Sequence, residues 1–191
     1  MRIIAGSLKG RRLKPPTWEG LRPTSDKLRE TLFNVLAGRV PDARVVDGFA
    51  GTGAIGIEAI SRGAKYVSFI EKDARATELI AANLAACGVA DGFAVITAPF
   101  GKGAAVLRRH PSFEPFDIVL LDPPYQQDPR AQNTEGLLKD ASALVGENGL
   151  VVLEHARKRD TPVAAGPLRR TRVLASGDSA LSFYTRLATA D

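Results

Sequence analysis

The sequence predicts an α/β fold: a mostly parallel, seven-stranded sheet with helices on both faces, an antiparallel C-terminal hairpin, and a small basic N-terminal β-hairpin ahead of it. Three observations predict it. Between Arg44 and Ala156, short apolar runs alternate with helix-like segments, and that rhythm means βαβ units and a parallel sheet covered on both sides. The tail "RRTRVLASGDSALSFYTR" holds two β-rich runs around "SGDS", which reads as a hairpin closing the sheet. The opening "RIIAGSLKGRRLKPP" alternates loosely, carries Gly6 and Gly10, and stops at Pro15 and Pro16, as a basic hairpin or pair of short strands would.

The elements follow in order. "TSDKLRETLFNVLAGR" predicts a helix, capped by Thr24 or Ser25, with Leu28, Leu32, Val35 and Leu36 on one face. "ARVVDGF" is a buried strand, and "GAIGIEAISRG" a helix stopped by Gly63. "KYVSFIEKD" and "ARATELIAANLAACG" repeat the pattern, followed by strand "FAVITA" and helical "KGAAVLRRH". "FDIVLLD" is the fourth strand, "TEGLLKDASALV" a helix and "GLVVLEHA" the fifth strand. Phe183 and Tyr184 in the last strand are expected in the core, and His110 and His155 on the surface or in packing. The division expected is an arm of residues 1–22 and a main domain of residues 23–191.

The chain has 191 residues, 45% of them hydrophobic and 25% charged, enough for one domain with a core. No apolar run approaches the roughly 20 residues of a membrane span. The single cysteine, Cys87, excludes an internal disulfide and a cysteine-based zinc cluster, and no metal is expected. No signal peptide is visible, so a cytoplasmic location is expected; a monomer is expected as well. Net charge is +5, unevenly spread: residues 1–44 hold ten Lys and Arg against four Asp and Glu, leaving 16 against 17 in the rest. A polyanion-binding arm on a neutral body fits this, as does a merely solvated terminus.

The first strand runs into "VVDGFAGTGAIGIEA". Gly51, Gly53 and Gly56 satisfy G-x-G-x-x-G, and Glu71 follows Gly51 by 20 residues at the end of the next strand. Glycines there let a ligand approach the backbone and the following helix N-terminus. The spacing also suits a dinucleotide enzyme, and an NAD oxidoreductase stays open. Asp47 counts against it, since a carboxylate in the turn would face a pyrophosphate with like charge and would suit an ammonium or sulfonium group. Asp47 can also be a helix cap, and Glu71 a solvated strand end.

The fourth strand ends in "DPPY". An exocyclic amine on a nucleobase has its lone pair delocalised into the ring, so acceptors that draw on its hydrogens favour the tetrahedral nitrogen that attacks a methyl group. Asp122 and the Pro123 carbonyl are such acceptors, Pro123 and Pro124 stiffen the backbone, and Tyr125 can stack on an extruded base.

"VVDGFAGTG" with "SFIEKD" resembles the first two motifs of S-adenosylmethionine-dependent methyltransferases, which have a Rossmann-like fold. With "RIIAGSLKGRRL", "LRPTSDKLRETLFNVL", "NL" at Asn83–Leu84 and "DIVLLDPPY", the chain resembles more closely the bacterial 16S rRNA (guanine 2-amino) methyltransferase family, strongly from Arg2 to Tyr125 and more weakly to Arg186. The resemblance implies an enzyme that transfers a methyl group from S-adenosyl-L-methionine to a guanine 2-amino group of 16S rRNA, on the 30S subunit or an assembly intermediate. It implies cofactor contacts from Thr24, Asp47, Phe49, Ala50, Gly51, Gly53, Glu71, Lys72 and Ala98, catalysis at Asp122, Pro123, Pro124 and Tyr125, and RNA contacts from Arg2, Lys9, Arg11, Arg12, Lys14 and Arg22. Trp18 is expected to pack the arm on the body or to stack on a base. One departure stands out: "VITAPFGKG" lacks the Asp or Asn that reads adenine after the third strand, leaving backbone near Ala98 or Phe100 and an apolar ring, Phe100 among them, for that role. A DNA adenine or cytosine amino-methyltransferase and a non-catalytic RNA-binding assembly factor are the alternatives.

Overall fold

The computed structural model describes residues 1–18, 25–124 and 133–187. Its elements are α1 (Asp26–Leu36), β1 (Arg44–Asp47), α2 (Ala54–Ser61), β2 (Tyr66–Glu71), α3 (Ala74–Ala86), β3 (Phe93–Thr97), α4 (Phe100–Arg109), β4 (Phe116–Leu121), α5 (Thr134–Ser142), β5 (Val145–Ala156), β6 (Ala164–Ala165), β7 (Leu168–Ser176) and β8 (Ser179–Arg186). They form one sheet in the order β3-β2-β1-β4-β5-β8-β7-β6. The first five strands run parallel, β8 adds antiparallel to β5, and β7 adds antiparallel to β8, as the tail predicts. Among the described residues the sheet has eight strands rather than seven. The extra one, β6, is a two-residue edge strand on β7, too short for any alternation to show in the sequence.

The two faces of the sheet bury two clusters. Val45, Phe69, Leu120 and Val152 pack under α1, α2 and α3, while Val46, Ile70, Leu121 and Leu153 pack under α4 and α5. Near-continuous apolar strands are what a sheet covered on both sides requires. Helix α1 starts where its cap predicts: the Ser25 side chain accepts the Leu28 N–H at 3.2 Å. Its buried face is Leu28, Arg29, Leu32, Phe33 and Leu36, with Val35 partly buried beside it. Phe183 and Tyr184 are in the core, 3% and 0% exposed. His155 is buried, with Nε2 2.9 Å from Ser182 Oγ, and His110 is exposed.

The N-terminal segment turns back on itself around an antiparallel bridge, Arg2 to Arg12, with the Ile3, Gly10 and Leu13 N–H groups donating across the turn to the Arg11, Ile3 and Met1 carbonyls. Other backbone donors go to the body. Ile4 N–H and Ala5 N–H donate to the two carboxylate oxygens of Glu58 on α2 at 2.8 and 3.0 Å, Leu8 N–H to Ser61 Oγ at 2.9 Å, and Lys14 N–H to Asn83 Oδ1 on α3 at 2.8 Å. Gly6 lies so close to the last turn of α2, at φ 84°, that a Cβ there would collide with the Ser61 carbonyl. Ile3 and Leu13 are 1% and 3% exposed, so the arm also contributes to the core. Trp18 is half-buried under the Arg75 guanidinium, 4.9 Å from its ring centroid, as packing onto the body requires.

Glu58 is fully buried, and besides the two arm amides it pairs with Arg62 at 2.8 Å and lies 4.0 Å from the buried Arg29. Removing one partner of such a set strands the others away from water. Glu58→Ala is therefore expected to lower unfolding free energy by about 3–5 kcal/mol, measured by urea denaturation, and to speed hydrogen exchange at Ile4 and Ala5. Slow exchange at those two amides in the variant would show that the arm is held by something else.

Candidate functional site

β1 lies between β2 and β4, so the chain order reverses there, and ligands of open α/β sheets sit in the crevice outside the carboxyl ends of the strands at such a point. Four carboxylates meet at that end. Asp47 pairs in register with Phe69 and with Leu120, and Leu120 pairs with Val152. Phe69, Leu120 and Val152 all face the α2 side. Because alternate residues of a strand share a face, Glu71, Asp122 and Glu154, each two residues further on, project to that side one level above Asp47.

The glycine loop joins β1 to α2 above this row. Gly53 is the N-cap of α2 at φ 78°, a conformation other residues resist. Glu71 fastens the loop from β2: Gly51 N–H donates to its Oε2 and Asp73 N–H to its Oε1, both at 3.0 Å. Each oxygen retains lone-pair capacity toward the half-exposed side, where a pair of vicinal hydroxyls can donate. Lys72, next along, is exposed.

Asp47 takes the helix-cap alternative. It is 1% exposed, and its Oδ2 accepts the Gly56 N–H in the first turn of α2 at 2.9 Å. It supports the loop from beneath. Burial pushes its carboxyl up to about 7, the negative neighbours Asp122 and Glu71 add to the shift, and the Gly56 N–H opposes it.

Ala50 is buried, and its N–H donates to the Ile70 carbonyl at 3.2 Å. Phe100 is turned inward, 4% exposed, instead of lining the crevice. The half-buried Phe49 stacks on it with centroids 5.6 Å apart, so Phe49 is the ring nearer the surface. The Ala98 N–H donates to the Glu71 carbonyl at 2.9 Å, which extends the β2–β3 ladder and commits that donor.

Asp122 follows the last residue of β4 and is half-buried; Pro123 is buried and Pro124 exposed. Asp122 and Glu154 end a narrow apolar pocket between α1 and the sheet, lined by Leu28, Leu32, Ile55 and Val152 among others. Thr24, Arg22 and Tyr125 lie outside the described residues. Arg2, Lys9, Arg11, Arg12 and Lys14 are all exposed.

Sequence reasoning missed the anchors of the arm and one carboxylate of the row. Asn83 is 0% exposed. Besides holding Lys14, its Nδ2 donates to the Thr52 carbonyl in the glycine loop at 2.9 Å, so one side chain ties arm to loop. The signal was a polar residue inside the apolar run of a helix. Glu154 closes an apolar strand just as Asp122 does, and that parallel was there to be read in "GLVVLEHA".

A sheet of this order, with a glycine loop at its switch point, places the chain in the Rossmann-like class of α/β proteins. Comparisons with known proteins narrow it. The family described as Conserved hypothetical protein 95 matches residues 1–185. The chain is 34% identical over 199 residues to Ribosomal RNA small subunit methyltransferase D of Escherichia coli strain K12, covering 98% of this chain and 91% of the relative. The solved structure of yhhF from Escherichia coli aligns with a TM-score of 0.81 at 31% identity, covering 99% of each chain. A hypothetical protein of Thermus thermophilus aligns with a TM-score of 0.79 at 30% identity over 98% of this chain and 99% of that one. The chain belongs to this family, that of the bacterial small-subunit ribosomal RNA methyltransferases.

The buried Asp47 makes stability depend on pH. Between the ordinary value of 3.8 and about 7, the unfolded chain has released a proton that the native state still holds. Stability from this group therefore falls as pH rises through that window and levels off above it. Asp47→Asn is expected to flatten the slope, gaining relative to the parent at pH 8 but not at pH 4, by at most roughly 4 kcal/mol. Urea melts at both pH values measure it; parallel pH dependence in the two proteins would overturn it.

Proposed function

We propose that the chain methylates the exocyclic 2-amino group of a guanine in bacterial 16S rRNA, on the small subunit or an assembly intermediate, with S-adenosyl-L-methionine as methyl donor. The observation that carries the reading is Asp122 with Pro123 at the end of β4, across the switch point from a glycine loop braced by Glu71.

The residues present fit the donor. Glu71 offers acceptors for ribose hydroxyls, Gly51 and Gly53 keep the loop surface clear of side chains, and Phe49 supplies an apolar ring nearby. When bound, S-adenosylmethionine supplies a methyl group on a positively charged sulfur. Asp122 and Glu71, the negative neighbours of Asp47, give the crevice the charge that suits a sulfonium. Asp122 and the Pro123 carbonyl accept the guanine amino hydrogens. This draws the nitrogen toward tetrahedral geometry and frees its lone pair to attack the methyl group that bound S-adenosylmethionine would supply, with the sulfur as leaving group. The proton then leaves the nitrogen to Asp122 or to water. The work of the chain is alignment and electrostatics.

The arm of residues 1–22 contacts RNA through Arg2, Lys9, Arg11, Arg12, Lys14 and Arg22, and the remainder is the methyltransferase domain. The five of these that are described are exposed, and the backbone carrying them is pinned to α2 and α3, so the charges sit on a fixed surface. Binding should weaken as salt rises, each phosphate contact adding to the slope.

The test is transfer of labelled methyl from S-adenosylmethionine to 30S subunits and assembly intermediates from a strain lacking the activity, with nucleoside analysis of the RNA. Labelled 2-methylguanosine is expected; label in another nucleoside, or none on any particle, overturns the reading. Asp122→Ala is expected to lower turnover by about 10²-fold or more, while binding of S-adenosylhomocysteine, followed by calorimetry, changes little. Near-normal turnover in that variant would remove Asp122 from the chemistry.

A further inference from the structure

Glu154 is buried, 9% exposed, at the carboxyl end of β5, and nothing in the reaction above uses it. It stands beside Asp122. Leu121 and Leu153 are register partners on β4 and β5, so the next residues are neighbours on strands about 4.8 Å apart. Both side chains end the same apolar pocket. Ser179, at the start of β8, donates its hydroxyl to Glu154 Oε1 at 3.1 Å, which orients the carboxylate.

We infer that Glu154 is the specificity residue of this site, accepting the N1–H of the target guanine beside the amino group held by Asp122. The inference rests on the guanine reading above. The Watson–Crick edge of guanine presents N1–H and the 2-amino hydrogens next to one another, a row of donors that suits two adjacent carboxylates. Adenine presents a bare N1 lone pair beside its amino group, and a carboxylate facing it meets acceptor with acceptor. A buried acceptor left without its donor discriminates strongly, because the analogue cannot replace the lost hydrogen bond. Asp122 selects an amine; Glu154 selects the amine that has an N–H next to it.

The test uses small subunits reconstituted with 16S rRNA carrying either guanosine or 2-aminopurine at the labelled position. 2-Aminopurine keeps the 2-amino group but has a lone pair at N1. The parent protein is expected to favour guanosine by about 10²-fold or more in kcat/KM. Glu154→Gln keeps size and an acceptor for Ser179 but can donate to N1. It is expected to lose activity on guanosine, gain on 2-aminopurine and bring the ratio within about tenfold, with S-adenosylhomocysteine affinity unchanged. A merely structural role lowers both substrates together and leaves the ratio intact, which overturns the inference. Failure of the parent on both substrates sinks the guanine reading itself, and the inference with it. Should Glu154→Gln not fold, Ser179→Ala serves: it removes the orienting hydroxyl, and the guanosine preference falls several-fold, whereas an unchanged preference overturns the assignment.

Discussion

The carboxylate of Glu58 is the point on which the rest of the molecule is assembled. It is wholly buried in α2, and it binds two amides of the N-terminal arm, the Arg62 guanidinium one turn on, and the field of Arg29 from α1. A buried carboxylate is tolerable only when its oxygens are satisfied, and here both are. Arg29 in turn donates to the Arg2 carbonyl at 2.6 Å and pairs with Asp26 at 2.9 Å, which links the arm to the first helix a second time. The arm, α1 and α2 are thus one unit, and α2 is the helix whose N-terminus carries the glycine loop.

Asn83 makes the same connection from the other side. With its amide shared between Lys14 and Thr52, the segment bearing the basic residues and the loop proposed to hold the methyl donor are two hydrogen bonds apart. Asp47 beneath the loop and Glu71 beside it complete the brace. The loop is therefore held on three sides by polar side chains from β1, β2 and α3. Its shape is set before a ligand arrives, which is the condition under which positioning contributes most to a transfer reaction.

Much of this was legible in the chain. The helix cap at Ser25, the β1–α2–β2 unit, the carboxylate closing β4 and the C-terminal hairpin all carry local signals, because turn chemistry and hydrophobic period act over a few residues. What escaped depends on distance along the chain. Glu58 sits in "GIEAIS", where a helical pattern gives it no reason to be buried until an arm 53 or 54 residues away covers it. The arm's hairpin is short for the same reason: the donors of Ile4, Ala5 and Leu8 are spent on α2 and that of Lys14 on α3. Asp47 and Phe100 stand at the positions expected, yet both turn inward, Asp47 under the first turn of α2 and Phe100 as the first residue of α4 packed on the sheet. The parallel between Asp122 and Glu154 is visible in the letters, but only the register of β4 against β5 makes them neighbours.

The clamp on the arm has a consequence for synthesis. Residues 3–14 leave the ribosome ahead of the groups that fix them, since Glu58, Ser61 and Asn83 are 53 to 69 residues further along. Until α3 has emerged, a cationic peptide with an unsatisfied backbone hangs free beside the ribosome that is making it. Closing contacts of that span is slow relative to forming a local helix. The arm is thus translated well before its anchors, and the nascent chain passes through a stage in which its most polyanion-attracting part has no fold to constrain what it touches.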